Sequence, residues 1–321
     1  MHDVLVELKK IGIIPIITIN DAEKAVPLAK AIVAGGIPCA EVTFRTKEAE
    51  EAIRRISREV PGLLLGAGTV LTTDQVDKAI SAGAKFIISP GLNPKVVSYC
   101  VNKDIPITPG CSNPSDIEMA LEAGLKVVKF FPAEQAGGLD YIKAIAAPYT
   151  ELSFIPTGGI NAQNIARYIA FEKTHACGGS WMVNSDLINA GDFNKISTLC
   201  REAILCLLGF QMVHVGINAE NEKEALAAAT RFSALFGFEN KIGNSSVFSG
   251  DSLEIMKSPY LGKNGHIAIA TNSVFRAASY FERQGIEFNP ESAKTDAKGN
   301  LIAVYFKEEI GGFAVHLVQK K

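Results

Sequence analysis

The sequence predicts an α/β protein with two parts: a (β/α)8 TIM barrel over residues 1–208 and an α+β domain of paired βαβββ units over residues 209–321. Short, nearly continuous apolar runs alternate with amphipathic stretches up to about residue 210, which is typical of a parallel sheet covered by helices. A different order of elements begins near Phe210. The length of 321 residues also suits about two domains of roughly 150 residues each.

The first domain is expected to contain eight strands, each followed by a helix. The predicted strands are the apolar runs 13–18, 39–44, 63–69, 86–91, 106–110, 127–132, 154–159 and 175–181. The amphipathic segments between them include 21–34, 47–59, 73–82 and 161–169. Eight strand–helix pairs in about 200 residues match the size of a compact (β/α)8 barrel.

The second domain repeats one pattern. Residues 212–219 predict a strand, residues 221–236 an alanine-rich helix, and the next short runs three strands. Residues 264–271 restart this order, with a helix over 272–284 and a last strand at 313–319. Each open sheet needs the other to bury one face, so the two units should form one domain. No Pro/Ser-rich linker precedes it, and we therefore expect the two domains to be closely coupled.

Composition excludes several classes of function. Lys and Arg total 32 against 34 for Asp and Glu, a near balance that argues against nucleic-acid partners and a polybasic membrane anchor. No apolar run approaches the roughly 18 residues of a membrane span. Residues 1–7 lack the pattern of a signal peptide. We therefore expect a soluble, cytoplasmic chain. The six cysteines have no disulfide or zinc-ribbon spacing and should be small buried side chains.

Two charged side chains share one face of the second predicted strand. Glu41, Thr43 and Arg45 are two residues apart and point to the same side. Active sites of barrels lie at the carboxyl ends of the strands, and buried charges are costly unless they pair or serve a ligand. Glu41 and Arg45 are therefore candidate functional residues. The alternative for Arg45 is an exposed charge at the end of the strand.

Lys129 stands inside the apolar sixth strand. Lysine is among the residues least often buried, and burial favours its uncharged form. An uncharged amine in a barrel can attack a carbonyl carbon and form a Schiff base. The alternative is a structural ion pair with Glu41, although such buried pairs stabilise proteins poorly compared with apolar packing.

Glycine pairs end the last two predicted strands, Gly158-Gly159 and Gly178-Gly179, and Ser180 follows the second pair. Barrels often bind phosphate through backbone N–H groups in the loops after strands seven and eight. The glycines allow an anion to approach the backbone, and Ser180 can add a hydroxyl donor. The alternative is that the pairs only form tight turns, but two pairs at the expected strand ends favour a phosphate site.

Six segments occur together in order: Glu41–Thr46, Gly66–Val70, Ser89–Gly91, Lys129–Glu134, Pro156–Ile160 and Gly178–Trp181. Over about residues 5–208 the chain resembles the 2-keto-3-deoxy-6-phosphogluconate aldolase family, which also cleaves 2-keto-4-hydroxyglutarate. The Lys-Phe-Phe-Pro-Ala-Glu sequence at 129–134 is a highly specific motif. Cys111 departs from the aliphatic residue more often found there, a change that removes no catalytic group.

The resemblance implies a role for each candidate. Lys129 would be the Schiff-base lysine, and Glu41 the single general acid/base. Arg45 and Thr69 would hold the pyruvate portion of the substrate, although Thr69 alone would be an ordinary strand or cap threonine. Both glycine pairs and Ser180 would bind the phosphate. The resemblance also implies keto-acid substrates, no cofactor for the aldolase and a homotrimer, which the fused domain could block or supplement.

The second domain carries its own resemblance. Its paired βαβββ order, His214–Ile217 and Gly265–Ile269 resemble the vicinal-oxygen-chelate (glyoxalase-like) superfamily. The positions of that family's metal ligands correspond here to His214, Glu254, His266 and His316. This resemblance implies a site for a divalent metal such as Zn, Ni, Mn or Fe. His316 stands where a glutamate is more usual, and members without metal bind ligands only. Singly, each histidine is also explained as a structural or surface residue.

The resulting hypothesis is a bifunctional class I aldolase with a C-terminal domain of unknown ligand. It would cleave 2-dehydro-3-deoxy-6-phosphogluconate to pyruvate and glyceraldehyde 3-phosphate, and 4-hydroxy-2-oxoglutarate to pyruvate and glyoxylate. The alternatives are another class I barrel lyase, a phosphosugar isomerase, or a non-catalytic sensor of phosphorylated keto acids. A non-catalytic sensor does not require a buried lysine, so Lys129 argues against the sensor alternative.

Overall fold

A computed structural model describes residues 2–320. The chain divides into two compact units, with the boundary between Leu207 and Leu208. We call them the barrel unit and the C-terminal unit.

The barrel unit contains eight short strands and the helices that connect them. The strands are β1 (Ile13–Ile17), β2 (Cys39–Thr43), β3 (Leu64–Gly68), β4 (Phe86–Ile88), β5 (Ile107–Thr108), β6 (Val127–Phe130), β7 (Ser153–Pro156) and β8 (Cys177–Gly179). The helices are α1 (Asp3–Ile11), α2 (Ala25–Ala34), α3 (Ala49–Glu59), α4 (Thr73–Ala82), α5 (Pro94–Asn102), α6 (Pro114–Glu122), α7 (Gly138–Ala146), α8 (Ile165–Ile169), α9 (Ser185–Ala190) and α10 (Phe193–Leu208). Every predicted strand is present, and α1 adds a helix before the first one.

All strand pairs of the barrel unit are parallel. Six strands form a sheet in the order β5-β4-β3-β2-β1-β8, and β6 pairs with β7. Single parallel bridges, Gly110 to Lys129 and Thr157 to Gly178, join these two sheets at both ends. The eight strands thus follow one another around a ring, which confirms the predicted (β/α)8-type fold.

Local sequence explains where two of these helices begin. The hydroxyl of Thr72 accepts a hydrogen bond from the N–H of Gln75 and starts α4 at the predicted residue. The prediction for 161–169 was too long, because the helix starts only at Ile165. Asn161 and Asn164 exchange hydrogen bonds between side chain and backbone N–H. These local bonds compete with helical ones and keep 161–164 in a turn.

The C-terminal unit is one mixed sheet with two helices. Its elements are β9 (Gln211–Asn218), α11 (Glu222–Phe236), β10 (Asn240–Ile242), β11 (Ser246–Ser249), β12 (Leu253–Met256), β13 (His266–Thr271), α12 (Val274–Glu282), β14 (Lys294–Thr295), β15 (Leu301–Tyr305) and β16 (Ala314–Gln319). The strand order is β10-β11-β12-β9-β13-β16-β15-β14. The first strands of the two βαβββ units, β9 and β13, pair antiparallel at its centre, in agreement with the predicted repeat.

Two further expectations concern the whole chain. Within residues 2–320, none of the helices has the length and hydropathy that a bilayer crossing requires. The six cysteines are free thiols, and only Cys206 is not buried. Burial raises the pKa of Cys111 and of Cys200 to about 12, which keeps both thiols protonated and unreactive near neutral pH.

Candidate active site

A lysine and a carboxylate meet inside the barrel. Lys129 on β6 is 6% exposed and Glu41 on β2 is 2% exposed, so both are shielded from water. The Nζ of Lys129 lies 3.7 Å from Oε1 of Glu41, which is beyond hydrogen-bond distance. Oε1 has no hydrogen-bond partner among the described residues. The two groups therefore attract each other electrostatically without forming a closed pair.

Burial controls the protonation of the carboxyl group. It raises the pKa of Glu41 above the usual value, and the positive charges of Lys129 and Arg45 only partly oppose this effect. A carboxyl group with a raised pKa can both accept and return a proton near neutral pH, as general acid/base chemistry requires.

Two glycines of β3 leave space for large side chains of the neighbouring strands, and neither was predicted as a site residue. A Cβ atom built on Gly68 would lie 1.8 Å from Oε1 of Glu41. A Cβ on Gly66 would lie 2.2 Å from the ring of Phe86. Because Gly66 and Gly68 lie two residues apart, they face the same side of the strand. The Gly-Ala-Gly spacing was the available signal for a side chain packed against that face.

Arg45 and Thr69 lie at the carboxyl ends of β2 and β3. The Nε of Arg45 donates a hydrogen bond to Oγ1 of Thr69 over 3.3 Å. Thr69 has a φ of 55°, in the left-handed region that a β-branched residue rarely adopts. Such strain persists only where the surroundings impose it, and it is common in binding sites. Arg45 is exposed in this structure, so its charge is accessible to a ligand.

A cavity of about 410 Å³ opens beside these residues. Arg45 lies in its wall together with both glycine pairs and Ser180: Gly158, Gly159, Gly178, Gly179 and Ser180. Lys129, Glu41 and Thr69 are not in this wall. Phe131, which is in the wall, places its ring centre 5.3 Å from the Nζ of Lys129. Arg45, which is predicted to bind the pyruvate portion, therefore shares this cavity with the residues that are predicted to bind the phosphate.

The glycine loops offer unpaired donors. Within the described chain, the backbone N–H groups of Gly159 and Ser180 have no hydrogen-bond partner, while the N–H of Gly158 faces the carbonyl of Gly178 in the bridge between Thr157 and Gly178. Gly158 has φ 99° and Gly159 has φ 78°, values that glycine adopts without strain. Unpaired N–H groups at a cavity wall are suited to bind an anion.

The second glycine pair also has a packing role. A Cβ on Gly178 would lie 2.4 Å from Oγ1 of Thr157, and one on Gly179 would lie 2.0 Å from the Trp181 ring. Thr157 is buried and belongs to the cavity wall, although it was not predicted as a site residue. Gly178 and Gly179 belong to strand β8, and larger side chains there are excluded by packing rather than by a tight turn.

The C-terminal unit brings its four candidate ligands together. The Nε2 atoms of His214 and His266 are 3.2 Å apart, and Oε2 of Glu254 lies 3.2 Å from the first and 3.1 Å from the second. Ligand atoms of His214, His266 and His316 all lie within 4.8 Å of one another. These residues come from β9, β12, β13 and β16, as the resemblance implied.

Burial and hydrogen bonds prepare this cluster for a cation. Burial and the neighbouring imidazoles lower the pKa of His316 to about 3, so the ring is neutral near pH 7. Both of its ring nitrogens are buried without a hydrogen-bond partner among the described residues. Burial favours the protonated acid form of Glu254, but hydrogen bonds from His214, His266 and Ser246 outweigh it and hold its pKa well below the usual value. The neutral imidazole of His316 and the ionised carboxylate of Glu254 fit a divalent metal.

Comparisons with known proteins show which family the barrel unit is similar to. Residues 4–199 match the model of the KDPG and KHG aldolase family. The chain is 50% identical over 197 residues to the 2-dehydro-3-deoxy-phosphogluconate aldolase of Treponema pallidum, covering 61% of this chain and 94% of that protein. It is 45% identical over 192 residues to the KHG/KDPG aldolase of Escherichia coli K12, covering 60% and 90%.

A similar structure has also been solved. The KDPG aldolase from Legionella pneumophila, with pyruvate captured as a covalent carbinolamine intermediate, is 37% identical with a TM-score of 0.61. The match covers 62% of this chain and 97% of that one. The family model ends at residue 199, before the C-terminal unit begins.

Proposed function

The chain belongs to the KDPG and KHG aldolase family and is therefore a class I carbon–carbon lyase, and from this premise we propose its substrates. The barrel unit cleaves 2-dehydro-3-deoxy-6-phosphogluconate to pyruvate and glyceraldehyde 3-phosphate. It also cleaves 4-hydroxy-2-oxoglutarate to pyruvate and glyoxylate. The observation that carries the proposal is the buried Lys129 amine, 3.7 Å from the Glu41 carboxylate.

The reaction begins at Lys129. Its amine, after loss of a proton, adds to the C2 ketone of the substrate, and loss of water gives an iminium ion. The positive iminium nitrogen then accepts the electron pair that C–C cleavage releases. Because this nitrogen acts as the electron sink, the route needs no metal ion.

Glu41 moves the protons. Its carboxylate, directly or through a water molecule, removes the C4 hydroxyl proton. The C3–C4 bond then breaks to an aldehyde and an enamine. The protonated Glu41 returns its proton to C3, and hydrolysis of the new iminium frees pyruvate and Lys129. Burial supports this double role, because it raises the pKa of Glu41 towards the working range.

The remaining barrel residues bind the two ends of the substrate. Arg45 and Thr69, which are hydrogen-bonded to each other, hold the pyruvate carboxylate and ketone portion. Gly158, Gly159 and Ser180 bind the phosphate, with the unpaired N–H groups of Gly159 and Ser180 as donors, and Gly178 and Gly179 keep that loop close to the barrel. The unphosphorylated substrate uses the first set alone.

Borohydride reduction in the presence of pyruvate tests the mechanism. We expect a reduced pyruvyl adduct on Lys129, found by peptide mass spectrometry, and no adduct in Lys129→Arg. Pyruvate release from both substrates should be lost in that variant while its thermal unfolding stays cooperative. An adduct on another lysine contradicts the assignment. Tight phosphate binding with no adduct and no pyruvate release would favour the non-catalytic sensor.

For the C-terminal unit we propose a glyoxalase-like domain of the vicinal-oxygen-chelate type with one divalent metal. His214, Glu254, His266 and His316 would hold the ion, and the support for this is their close approach together with the neutral His316 ring and the ionised Glu254 carboxylate. A bound divalent ion supplies Lewis acidity to an oxygen ligand. Elemental analysis of the purified chain, compared with His266→Ala, tests the site, and equal metal content in both would contradict it.

We also propose that the barrels assemble as homotrimers, which rests on the family resemblance. Light scattering on the full chain measures the mass directly. A mass of three chains supports the proposal, and a monomer at micromolar concentration contradicts it.

A further inference from the structure

Glu134 is the last residue of the Lys-Phe-Phe-Pro-Ala-Glu motif, and the mechanism above leaves it without a role. It lies in the loop after β6, five residues beyond Lys129. Its carboxylate Oε1 accepts a hydrogen bond from Nη2 of Arg167 over 3.1 Å and a short one from the hydroxyl of Tyr168. Both donors lie on α8, the helix that follows the Gly158-Gly159 loop.

The backbone joins the same two loops. The N–H of Ala133 donates to the carbonyl of Thr157 over 2.7 Å, and the N–H of Glu134 donates to the carbonyl of Gly158 over 3.0 Å. The side chain of Glu134 also packs on Gly159, where an added Cβ would lie 2.6 Å from the Cβ of Glu134. The loop that follows the Schiff-base strand therefore supports one side of the glycine pair.

The carbonyl of Gly159 is held separately. The side-chain amides of Asn161 and Asn164 both donate to it, over 3.2 Å and 3.0 Å. With the Gly158 carbonyl bonded to Glu134, both carbonyls of the pair are engaged within the protein. The N–H group of Gly159, in the cavity wall, is the unpaired donor of this turn among the described residues.

We propose that Glu134 is a positioning residue for the phosphate group of the substrate. Through Tyr168 and Arg167 it fixes α8 to the loop after β6, and so holds the Gly158-Gly159 turn, with the N–H group of Gly159, in place for the anion. This inference rests on the proposed function. The Tyr168 ring is fully buried while its hydroxyl donates to the Glu134 carboxylate, and the guanidinium of Arg167, 3.1 Å from the same oxygen, offsets the negative charge of that carboxylate.

Two variants weaken the same contact from opposite sides. Glu134→Gln keeps the shape but removes the charge, and Tyr168→Phe removes the hydroxyl while it keeps the ring. Charge-assisted hydrogen bonds are about twice as strong as neutral ones, so we expect either change to raise KM for the phosphorylated substrate about tenfold. The kcat for that substrate should change little. Because the two variants share the contact between Glu134 and Tyr168, the double variant should lose less than the sum of the two single losses.

The chain offers a matched control. The hydroxyl of Tyr149 donates to Oε1 of Glu118 over 3.1 Å, in an exposed pair on the same barrel that is absent from the cavity wall. Glu118→Gln and Tyr149→Phe should leave both KM values unchanged. Thermal unfolding of all variants shows whether the fold is intact.

Three readouts decide the matter. Calorimetric binding of inorganic phosphate should weaken in Glu134→Gln in parallel with the KM effect, while KM for 4-hydroxy-2-oxoglutarate and trapping of pyruvate on Lys129 stay unchanged. Equal losses on both substrates, or unchanged phosphate affinity, would overturn the proposal. Phosphate binding needs no turnover, so it tests Glu134 even if the wild-type chain fails to cleave the proposed substrates, an outcome that would refute the proposed function alone.

Discussion

Gly68 makes the space that the carboxylate of Glu41 occupies: a Cβ atom on residue 68 would lie 1.8 Å from Oε1 of Glu41. The two residues belong to neighbouring strands, where Glu41 is paired with Gly66 and Thr43 with Gly68. The position of the Glu41 carboxylate thus depends on the lack of a side chain at Gly68 as well as on strand β2. Even a methyl group at residue 68 would therefore displace the Glu41 carboxylate.

Gly68→Ala should therefore impair catalysis more than stability. Overpacking of a core costs about 1–3 kcal/mol, and misplacement of a catalytic group by about 1 Å can cost about a hundredfold in rate. We expect kcat to fall by about that factor. Gly62→Ala is the matched control, because a Cβ there meets no atom within 4 Å. Wild-type turnover in Gly68→Ala would show that the Glu41 carboxylate does not need this position.

Glu41→Gln should separate the two stages of the reaction. The amide keeps the size and polarity of the side chain but cannot shuttle protons, so pyruvate trapping on Lys129 should persist. General acid/base groups contribute about 10²–10⁴-fold, and we expect kcat to fall within that range. A kcat within about threefold of wild type would exclude the role.

The pH profile gives an independent check of Glu41. Cleavage needs the carboxylate form, so kcat should fall as the pH drops through the pKa of Glu41. Because burial raises that pKa, the acid limb should lie above the ordinary value of 4.5. The residual kcat of Glu41→Gln should lack this limb. A wild-type limb at or below the ordinary value would contradict the raised pKa.

The alternation of apolar runs with amphipathic segments was sufficient to predict the (β/α)8-type fold of the barrel unit. The apolar runs marked all eight barrel strands, and the predicted helix 73–82 has the observed bounds because Thr72 and Gly83 provide a local start and stop. The helix predicted at 161–169 was too long, because hydrogen bonds between Asn161 and Asn164 are not visible in hydrophobic periodicity. Side chains that satisfy the backbone locally can override such a pattern.

The candidate site was predictable where single residues were unusual for their surroundings. Lys129 and Glu41 were conspicuous because charges are rare in apolar strands. Gly68, Thr157 and Glu134 were not, because a glycine, a threonine and an exposed-looking glutamate are ordinary residues in sequence. Their importance arises from contacts across strands and loops, which depend on register and closure of the barrel. These contacts form only in the folded barrel and leave no pattern in the sequence.

Ser180→Asp should discriminate between the two substrates. A carboxylate beside the phosphate loop adds like-charge repulsion of several kcal/mol, so KM for the phosphorylated substrate should rise by about a hundredfold. KM for 4-hydroxy-2-oxoglutarate should change far less. Ser180→Asn is the control, since it adds similar bulk without charge. Gly179→Asp is a poorer test, because any side chain there would collide with the Trp181 ring. Equal losses in Ser180→Asp would mean that this loop shapes the barrel and binds no phosphate.

The C-terminal unit should be dispensable for aldol chemistry. Every proposed catalytic residue precedes residue 130, the phosphate loops end by Trp181, and the iminium on Lys129 serves as the electron sink. Full-length protein should therefore keep wild-type kcat after treatment with a chelator, even if elemental analysis shows that the histidine cluster has lost a metal. The His2→Ala variant should retain the metal content of wild type, because His2 lies outside that cluster.

Truncation after Leu208 is a harsher version of the same test. The carbonyl of Leu208 accepts hydrogen bonds from the hydroxyl of Thr271 and the N–H of Asn272, so the cut removes native partners of this residue. We expect reduced solubility but retained pyruvate trapping on Lys129. Loss of activity on truncation alone could follow from damaged packing and is weak support for a catalytic role. Chelation that stops cleavage while thermal unfolding stays unchanged would overturn the division of labour, because no step of the iminium route uses a metal ion.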